Sequence, residues 1–201
     1  HFERQSSNEW LQTQLIAPPD LATDDSYGAE VSLVGDTLIV GCPDRDIVQE
    51  GDDFPTAGLG VVYVYARVDG IFEEVQQILP PRPQTLSAWG ASLSFDGQHL
   101  VIGERQWTNV NLEEYDDAGE QTAFGSNVGL AAVYELGMDG TFTLGRVIAA
   151  SDGEESDAFG WSVAISEERV LVGSIEDGAV DGDGTPNGGM AYIYSATCSG
   201  D

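Results

Sequence analysis

"YGAEVSLVGDTLIVGCP", residues 27–43, reads as an aromatic residue, a glycine, two short apolar runs around a polar turn, and a second glycine. The pattern returns as "WGASLSFDGQHLVIGER", residues 89–105, and as "FGWSVAISEERVLVGSI", residues 159–175. The separation of the two glycines is the same each time: Gly28 to Gly41, Gly90 to Gly103, Gly160 to Gly173. Val31, Leu33, Leu38 and Val40 alternate with smaller or polar residues, the period-two signature of half-buried strands. Gly35-Asp36, Asp96-Gly97 and Glu167-Glu168 are read as the two-residue turns between them.

A long polar, acidic insertion follows each hairpin, and then a glycine-led strand: "GVVYVYAR" from Gly60, "GLAAVYEL" from Gly129 and "GMAYIYSA" from Gly189. Asp69-Gly70 and Asp139-Gly140 turn the chain into a fourth strand in two copies, "IFEEVQQIL" from Ile71 and "TFTLGRVIA" from Thr141. The unit is therefore four antiparallel strands repeating over 62 and 70 residues, measured from Gly28 to Gly90 to Gly160. Such a period belongs to propellers and solenoids, and four strands per unit point to propeller blades. No segment has sustained 3.6-residue periodicity, so no helix is expected.

The unit resembles the FG-GAP repeat of integrin α-chain β-propellers. "FG" stands as Tyr27-Gly28, Trp89-Gly90 and Phe159-Gly160; "GAP" stands as Gly41-Cys42-Pro43, Gly103-Glu104-Arg105 and Gly173-Ser174-Ile175. The first copy matches well, and the other two keep only the glycine of "GAP". The resemblance runs from about Trp10 to Ala196 and implies an all-β fold of three four-stranded antiparallel blades, with the ring incomplete in one chain. The expected divisions are 1–26, an orphan outer strand and linker; 27–80, blade 1; 81–150, blade 2; and 151–201, blade 3 lacking its outer strand. "WLQTQLIAPPD" from Trp10 supplies the orphan strand, with Trp10 in the place of Phe72 and Phe142. Rings need about four to eight blades. Three blades therefore call for a protein partner, self-assembly or a further segment to complete the ring.

Charge narrows the partners. The 201 residues carry 35 acidic side chains against seven basic ones, all Arg, for a formal charge of −28. Such a surface repels nucleic acid and anionic lipid headgroups and favours hard cations such as calcium. A solvated surface in a salty or extracellular medium accounts for the same composition. No apolar run approaches the roughly 18 residues of a membrane helix, so no membrane insertion is expected. The first residue is His1, which leads us to expect either a removed signal peptide or a piece of a longer chain, in an extracellular or cell-surface setting. Cys42 and Cys198 fall in the first and third blades, which disfavours a bridge between them within one chain.

The best metal candidate is the third insertion, "EDGAVDGDGTPNGG" from Glu176. Asp181, Asp183 and Asn187 alternate with glycines, and Asp177 precedes them. Calcium takes six to eight oxygens, which closely spaced Asp and Asn on a tightly turning loop can supply. The family resemblance implies a DxDxDG-like calcium loop at this place, and Asp181 and Asp183 before Gly184 match part of it. The competing reading is a solvated turn. The other insertions, with Asp44, Asp46, Glu50, Asp52 and Asp53 and with Glu113, Glu114, Asp116, Asp117 and Glu120, read as solvated acidic loops. Arg45 is placed to neutralise a carboxylate there.

No nucleophile elbow, P-loop or dinucleotide fingerprint is present, and His1 and His99 are the only histidines, so no enzyme is expected. Trp89, Trp161, Tyr63, Tyr65, Tyr192 and Tyr194 repeat with the blades and are expected in the core. Trp107 lies outside the pattern and is expected at the surface. Two functions fit: an extracellular adhesion or assembly module, with calcium stiffening its loops, or a propeller lectin that binds carbohydrate.

Overall fold

The computed structural model describes residues 2–4, 10–48, 51, 54–108, 127–167, 169–175 and 188–195. Among them every regular element is a strand. Strands β1 (Phe2–Arg4) and β2 (Trp10–Gln12) form an antiparallel ribbon. Blade 1 is β3 (Val31–Val34), β4 (Thr37–Cys42), β5 (Val61–Val68) and β6 (Ile71–Ile78), in that order across the sheet. Blade 2 repeats it with β7 (Ser92–Phe95), β8 (His99–Glu104), β9 (Leu130–Leu136) and β10 (Phe142–Ile148). Blade 3 is β11 (Ser162–Ser166), β12 (Arg169–Ser174) and β13 (Met190–Ser195), with no fourth strand among the described residues. The fold is thus all-β, in three antiparallel blades that do not close a ring.

Turn chemistry explains most of the corners. Asp69 and Gly70 have φ of 50° and 87°, the left-handed pair that a tight hairpin demands. The second hairpin corrects the sequence reading by one residue. Asp96 N–H donates to the His99 carbonyl, so Gly97-Gln98 is the turn, with Gly97 at φ 104°. The Asp96 carboxylate accepts from the N–H groups of Gln98 and His99 and so fastens that turn. Asp139-Gly140 lies inside a longer connection, because Leu136 pairs with Phe142.

Blades 1 and 2 share an irregularity in the outer strand. The β5–β6 register skips Val75, and the β9–β10 register skips Gly145. A bulge of this kind bends and twists the outer strand.

Blades 1 and 2 bury apolar residues on both faces, and blade 3 buries them on its leading face. The trailing face of blade 1 (Ile39, Val62, Val64, Ile78) packs on the leading face of blade 2 (Leu93, Phe95, Leu100, Ile102, Leu130). Val101, Ala131, Val133 and Ile148 of blade 2 pack in the same way on Ile165, Val170 and Val172 of blade 3. Ile16 and Leu21 pack on the leading face of blade 1, against the cluster of Val40, Tyr63, Tyr65 and Phe72.

The aromatics exchange places with respect to expectation. Trp107, read as a surface residue, is buried in the cluster between blades 1 and 2. Arg82 lies 5.5 Å from its ring centroid. Trp161, read as core, is nearly half exposed, with Arg105 at 4.8 Å over its ring. It follows Gly160 where Ala29 and Ala91 follow the glycines of the other blades, so its indole has no slot at the junction.

Candidate functional site: the blade junctions and their loops

The repeated glycines meet each other across the junctions. A Cβ on Gly41 of blade 1 would lie 2.2 Å from the Gly90 carbonyl oxygen of blade 2, and a Cβ on Gly103 would lie 2.2 Å from that of Gly160. The second glycine of one blade is therefore bare so that the first glycine of the next can approach. That first glycine has φ of 87°, 83° and 88° in the three blades (Gly28, Gly90, Gly160), a conformation that a side chain resists. The preceding turn is also the same in each copy. Asp24 and Ser26, Leu86 and Ala88, and Ser156 and Ala158 all have positive φ.

Polar groups cross the junctions as well. The Gln76 side chain donates to the Phe142 carbonyl at 2.9 Å and accepts from its N–H at 2.7 Å. Gln14 makes the same pair of bonds to Phe72, both at 2.9 Å. Ser92 Oγ donates to the Gly160 carbonyl at 2.7 Å, and the Ile165 N–H donates to Ser94 Oγ. The Trp89 indole N–H donates to the Ile78 carbonyl.

The residue after each "GAP" glycine faces the turn before the aromatic residue. Cys42 Sγ donates to the Asp25 carbonyl at 3.1 Å, and Ser174 Oγ donates to that of Asp157 at 2.6 Å. Burial pushes the Cys42 thiol up to about 12, with the Asp25 carboxylate adding to the shift. Glu104 holds this position in blade 2 and is fully buried. Burial raises its carboxyl to about 8, against smaller opposing effects from the Ser87 hydroxyl and the Arg82 guanidinium. Ser87 donates its own proton to the Leu59 carbonyl at 2.7 Å, so neither Glu104 oxygen has a hydrogen-bond partner among the described residues.

The first insertion behaves as its Arg suggests. Arg45 pairs with Asp20 at 2.6 Å and with the buried Asp25 at 2.7 Å, tying the linker before blade 1 to the loop after β4. Asp46 accepts from the Gly58 N–H, and Asp44 from Ser26 Oγ. Asp20, Asp25, Asp44 and Asp46 are thus engaged by a guanidinium, by backbone N–H groups and by the Ser26 hydroxyl. Asp177, Asp181, Asp183 and Asn187 lie outside the described residues, as do Cys198, Glu50, Asp52, Asp53 and the 113–120 cluster. Among the described residues no group of three or more His, Cys, Asp and Glu side chains is placed to hold a metal ion.

The glycine pairs at the junctions are the places at which "FG" of one blade meets "GAP" of the blade before it, and the profile of the FG-GAP repeat family matches residues 10–65 and 143–194, more than half of the chain. The chain belongs to the FG-GAP repeat family. Comparison with curated proteins gives no match. Each FG-GAP match begins in or beside a fourth strand and ends in the third strand of the blade that follows. Residues 143–194 run from β10 through β11 and β12 into β13; residues 10–65 run from β2 through β3 and β4 into β5. The FG-GAP unit is therefore offset from the sheet by one strand, and residues 10–17 stand where β10 stands. Blade 2, between the two matches, keeps the same sheet order and the same junction glycines. The family is in general a non-catalytic propeller module.

The junction bonds of Gln14, Gln76, Ser92 and Ser94 and the buried acid Glu104 are absent from the sequence reading. Gln14 and Gln76 had a signal in the sequence: each stands four residues after the aromatic residue at or next to the start of its strand, Trp10 and Phe72.

Proposed function

We propose that the chain is a non-catalytic, extracellular adhesion or assembly module, whose blades bind protein neighbours and whose third insertion binds calcium. One observation carries the protein-binding part: apolar residues stand exposed on both end faces of the blade stack, Val31 and Leu33 on blade 1 and Leu171 and Ile193 on blade 3. Contiguous apolar faces on a protein this acidic mark surfaces for partners. The calcium part rests on the oxygen-rich, glycine-spaced loop of Asp177, Asp181, Asp183 and Asn187, and on a net charge of −28 that draws hard cations. Melting with calcium and with chelator, in wild type and in Asp183→Ala, tests it. Calcium is expected to raise the wild-type melting temperature and to leave the variant unchanged. Equal melting in all four samples would remove calcium from the proposal.

A carbohydrate-binding function is the second reading, favoured by the cleft of about 140 Å³ in which Trp161 lies beside Gln106, Asn127 and Ser156. Ala29 and Ala91 stand at the equivalent positions of blades 1 and 2, so this aromatic does not repeat as a blade-wise lectin site would. A glycan array distinguishes the two, and a sugar signal lost in Trp161→Ala would favour the lectin.

A further inference from the structure

We infer that the cleft between blades 2 and 3 takes a sugar that carries a carboxylate, a uronic acid, with Arg105, stacked on Trp161, holding the acid group. The inference rests on the carbohydrate reading above and narrows it to one site and one class of ligand.

The junctions between blades 1 and 2 and between blades 2 and 3 share one backbone. The Ala88 N–H donates to the Gly58 carbonyl, and the Ala158 N–H donates to that of Asn127. Gly58 and Asn127 have the same φ of 56°, and Leu86 and Ser156 both have positive φ. The side chains on this common frame differ. Arg105 replaces Pro43, Gln106 replaces Asp44, Asn127 replaces Gly58, Ser156 replaces Leu86 and Trp161 replaces Ala91. The second junction thus loses an acid and gains a guanidinium, an indole, two amides and a hydroxyl. Room is made as well. A Cβ on Gly58 would lie 2.9 Å from Leu86 Cδ2, so Leu86 covers that position in the first junction. The shorter Ser156 takes its place in the second, beside Asn127, a residue type that tolerates a left-handed φ.

Arg105 is prepared for an acid. Its guanidinium lies 4.8 Å from the Trp161 ring centroid. Stacking uses the face of the guanidinium and leaves N–H donors at its edge, in the fork that fits a carboxylate. Arg45 spends the same fork on Asp20 and Asp25. Among the described residues no carboxylate forms an ion pair with Arg105, in a chain with 35 acidic side chains. No Asp or Glu lines the cleft.

The remaining groups fit the rest of a sugar. The Gln106 and Asn127 amides and the Ser156 hydroxyl line the same cleft, and each side chain both donates and accepts, as sugar hydroxyls do. Trp161 and Ile175, 44% and 42% exposed, give it apolar surface for the C–H groups of the ring. An acidic side chain of a protein would use Arg105 but would bring no ring of hydroxyls to the other three. Size and charge select further. The cleft of about 140 Å³ has the room of about five water molecules, enough for one small ring and not for a run of them. A net charge of −28 repels a polyanion, whereas a single carboxylate in contact with Arg105 meets the local cation at close range. The ligand is therefore one uronic acid unit, free or on an otherwise neutral glycan, and not a polyuronate.

The experiment is NMR titration of the isotope-labelled full chain with methyl glucuronide and methyl galacturonide, each against its neutral glycoside, and with N-acetylaspartate amide as a protein-like acid. Arg105→Gln and Trp161→Ala are titrated beside the wild type. Both replace side chains that reach solvent, and circular dichroism with thermal melting checks that each variant is folded. At least one uronide is expected to shift the Trp161 indole signal and to bind about tenfold more tightly than its neutral glycoside, the difference made by hydrogen bonds to a charged group. Arg105→Gln is expected to erase that difference, and Trp161→Ala to weaken both sugars. Equal binding of a uronide and its neutral glycoside to the wild type overturns the inference and leaves the carbohydrate reading standing. Binding of the aspartate as tight as that of the uronides overturns the sugar class. A preference for the uronide that survives in Arg105→Gln overturns the site. No binding of any of the four sugars overturns the inference, and a blank glycan array would then remove the carbohydrate reading with it.

Discussion

Gln76 in blade 1 bonds both backbone polar groups of Phe142 in blade 2, and Gln14 repeats this on Phe72. A primary amide is the one neutral side chain of this length that donates and accepts at once, so it can close a two-bond ring with a backbone unit. Gln76→Ala is expected to lower stability by about 1–2 kcal/mol, two hydrogen bonds at roughly 1 kcal/mol each. Gln76→Glu should fall in the same direction, because the carboxylate loses the donor to the Phe142 carbonyl. Urea titration of the two variants against wild type measures both.

The glycine contacts predict a ranking. Gly41→Ala places a methyl 2.2 Å from the Gly90 oxygen, with backbone on both sides, so a blade has to shift. A cost of about 3 kcal/mol is expected, at the upper end of ordinary overpacking. Gly28→Ala meets no neighbour but keeps φ at 87°, and should cost about 1 kcal/mol in the separate chain. Equal costs would remove the junction role of Gly41.

Glu104 predicts a pH dependence. Its folded pKa, about 8, lies above the ordinary 4.5, so the folded chain holds a proton that the unfolded chain releases between those values. Stability from this group is therefore lost as pH rises from about 4.5 to about 8, with a slope of about 1.4 kcal/mol per pH unit. Glu104→Gln should remove that slope and exceed wild type in stability at pH 8, while matching it near pH 4. Denaturant midpoints across this range decide it.

Cys42 should be inert in the folded protein. Its buried thiol donates to the Asp25 carbonyl and is held in the protonated form by burial. Alkylation at pH 8, mapped to the peptide that contains Cys42, is expected only at denaturant concentrations that unfold blade 1.

The blade pattern was legible because period-two alternation and the glycine spacing act locally. A hairpin with Leu38 and Val40 on one face has only one way to bury them, and Gly28 and Gly41 recur at a fixed offset. The offset of Trp10 against Phe72 and Phe142 likewise exposed the orphan strand. What escaped depends on the neighbouring blade. Trp107 and Trp161 look alike in the sequence, but Trp107 falls beneath Arg82 in a junction, and Trp161 falls where Ala29 and Ala91 leave no pocket. The Asp96 turn shifted by one residue because the Asp96 carboxylate joins its backbone N–H in holding Gly97-Gln98. Glu104 was already in register with Cys42 and Ser174, but nothing local to it says that this position is buried under the neighbouring turn and that its carboxyl lacks a hydrogen-bond partner there among the described residues. The metal loop at Asp177–Asn187 has no counterpart among the described residues, so its chemistry still rests on spacing alone.

Blade 2 is the one blade with a described blade against each of its faces, Val62 and Val64 on one side and Val170 and Val172 on the other. In an array held together by nearest-neighbour contacts, opening propagates inward from whichever end is less covered. Amide exchange should therefore be slowest in β8 and β9 and fastest in β12 and β13, whose Leu171 and Ile193 stand exposed on the trailing face. Blade 1 should fall between them, because Ile16 and Leu21 shelter part of its leading face. Closure of a ring gives every blade two neighbours, and the gradient should then flatten.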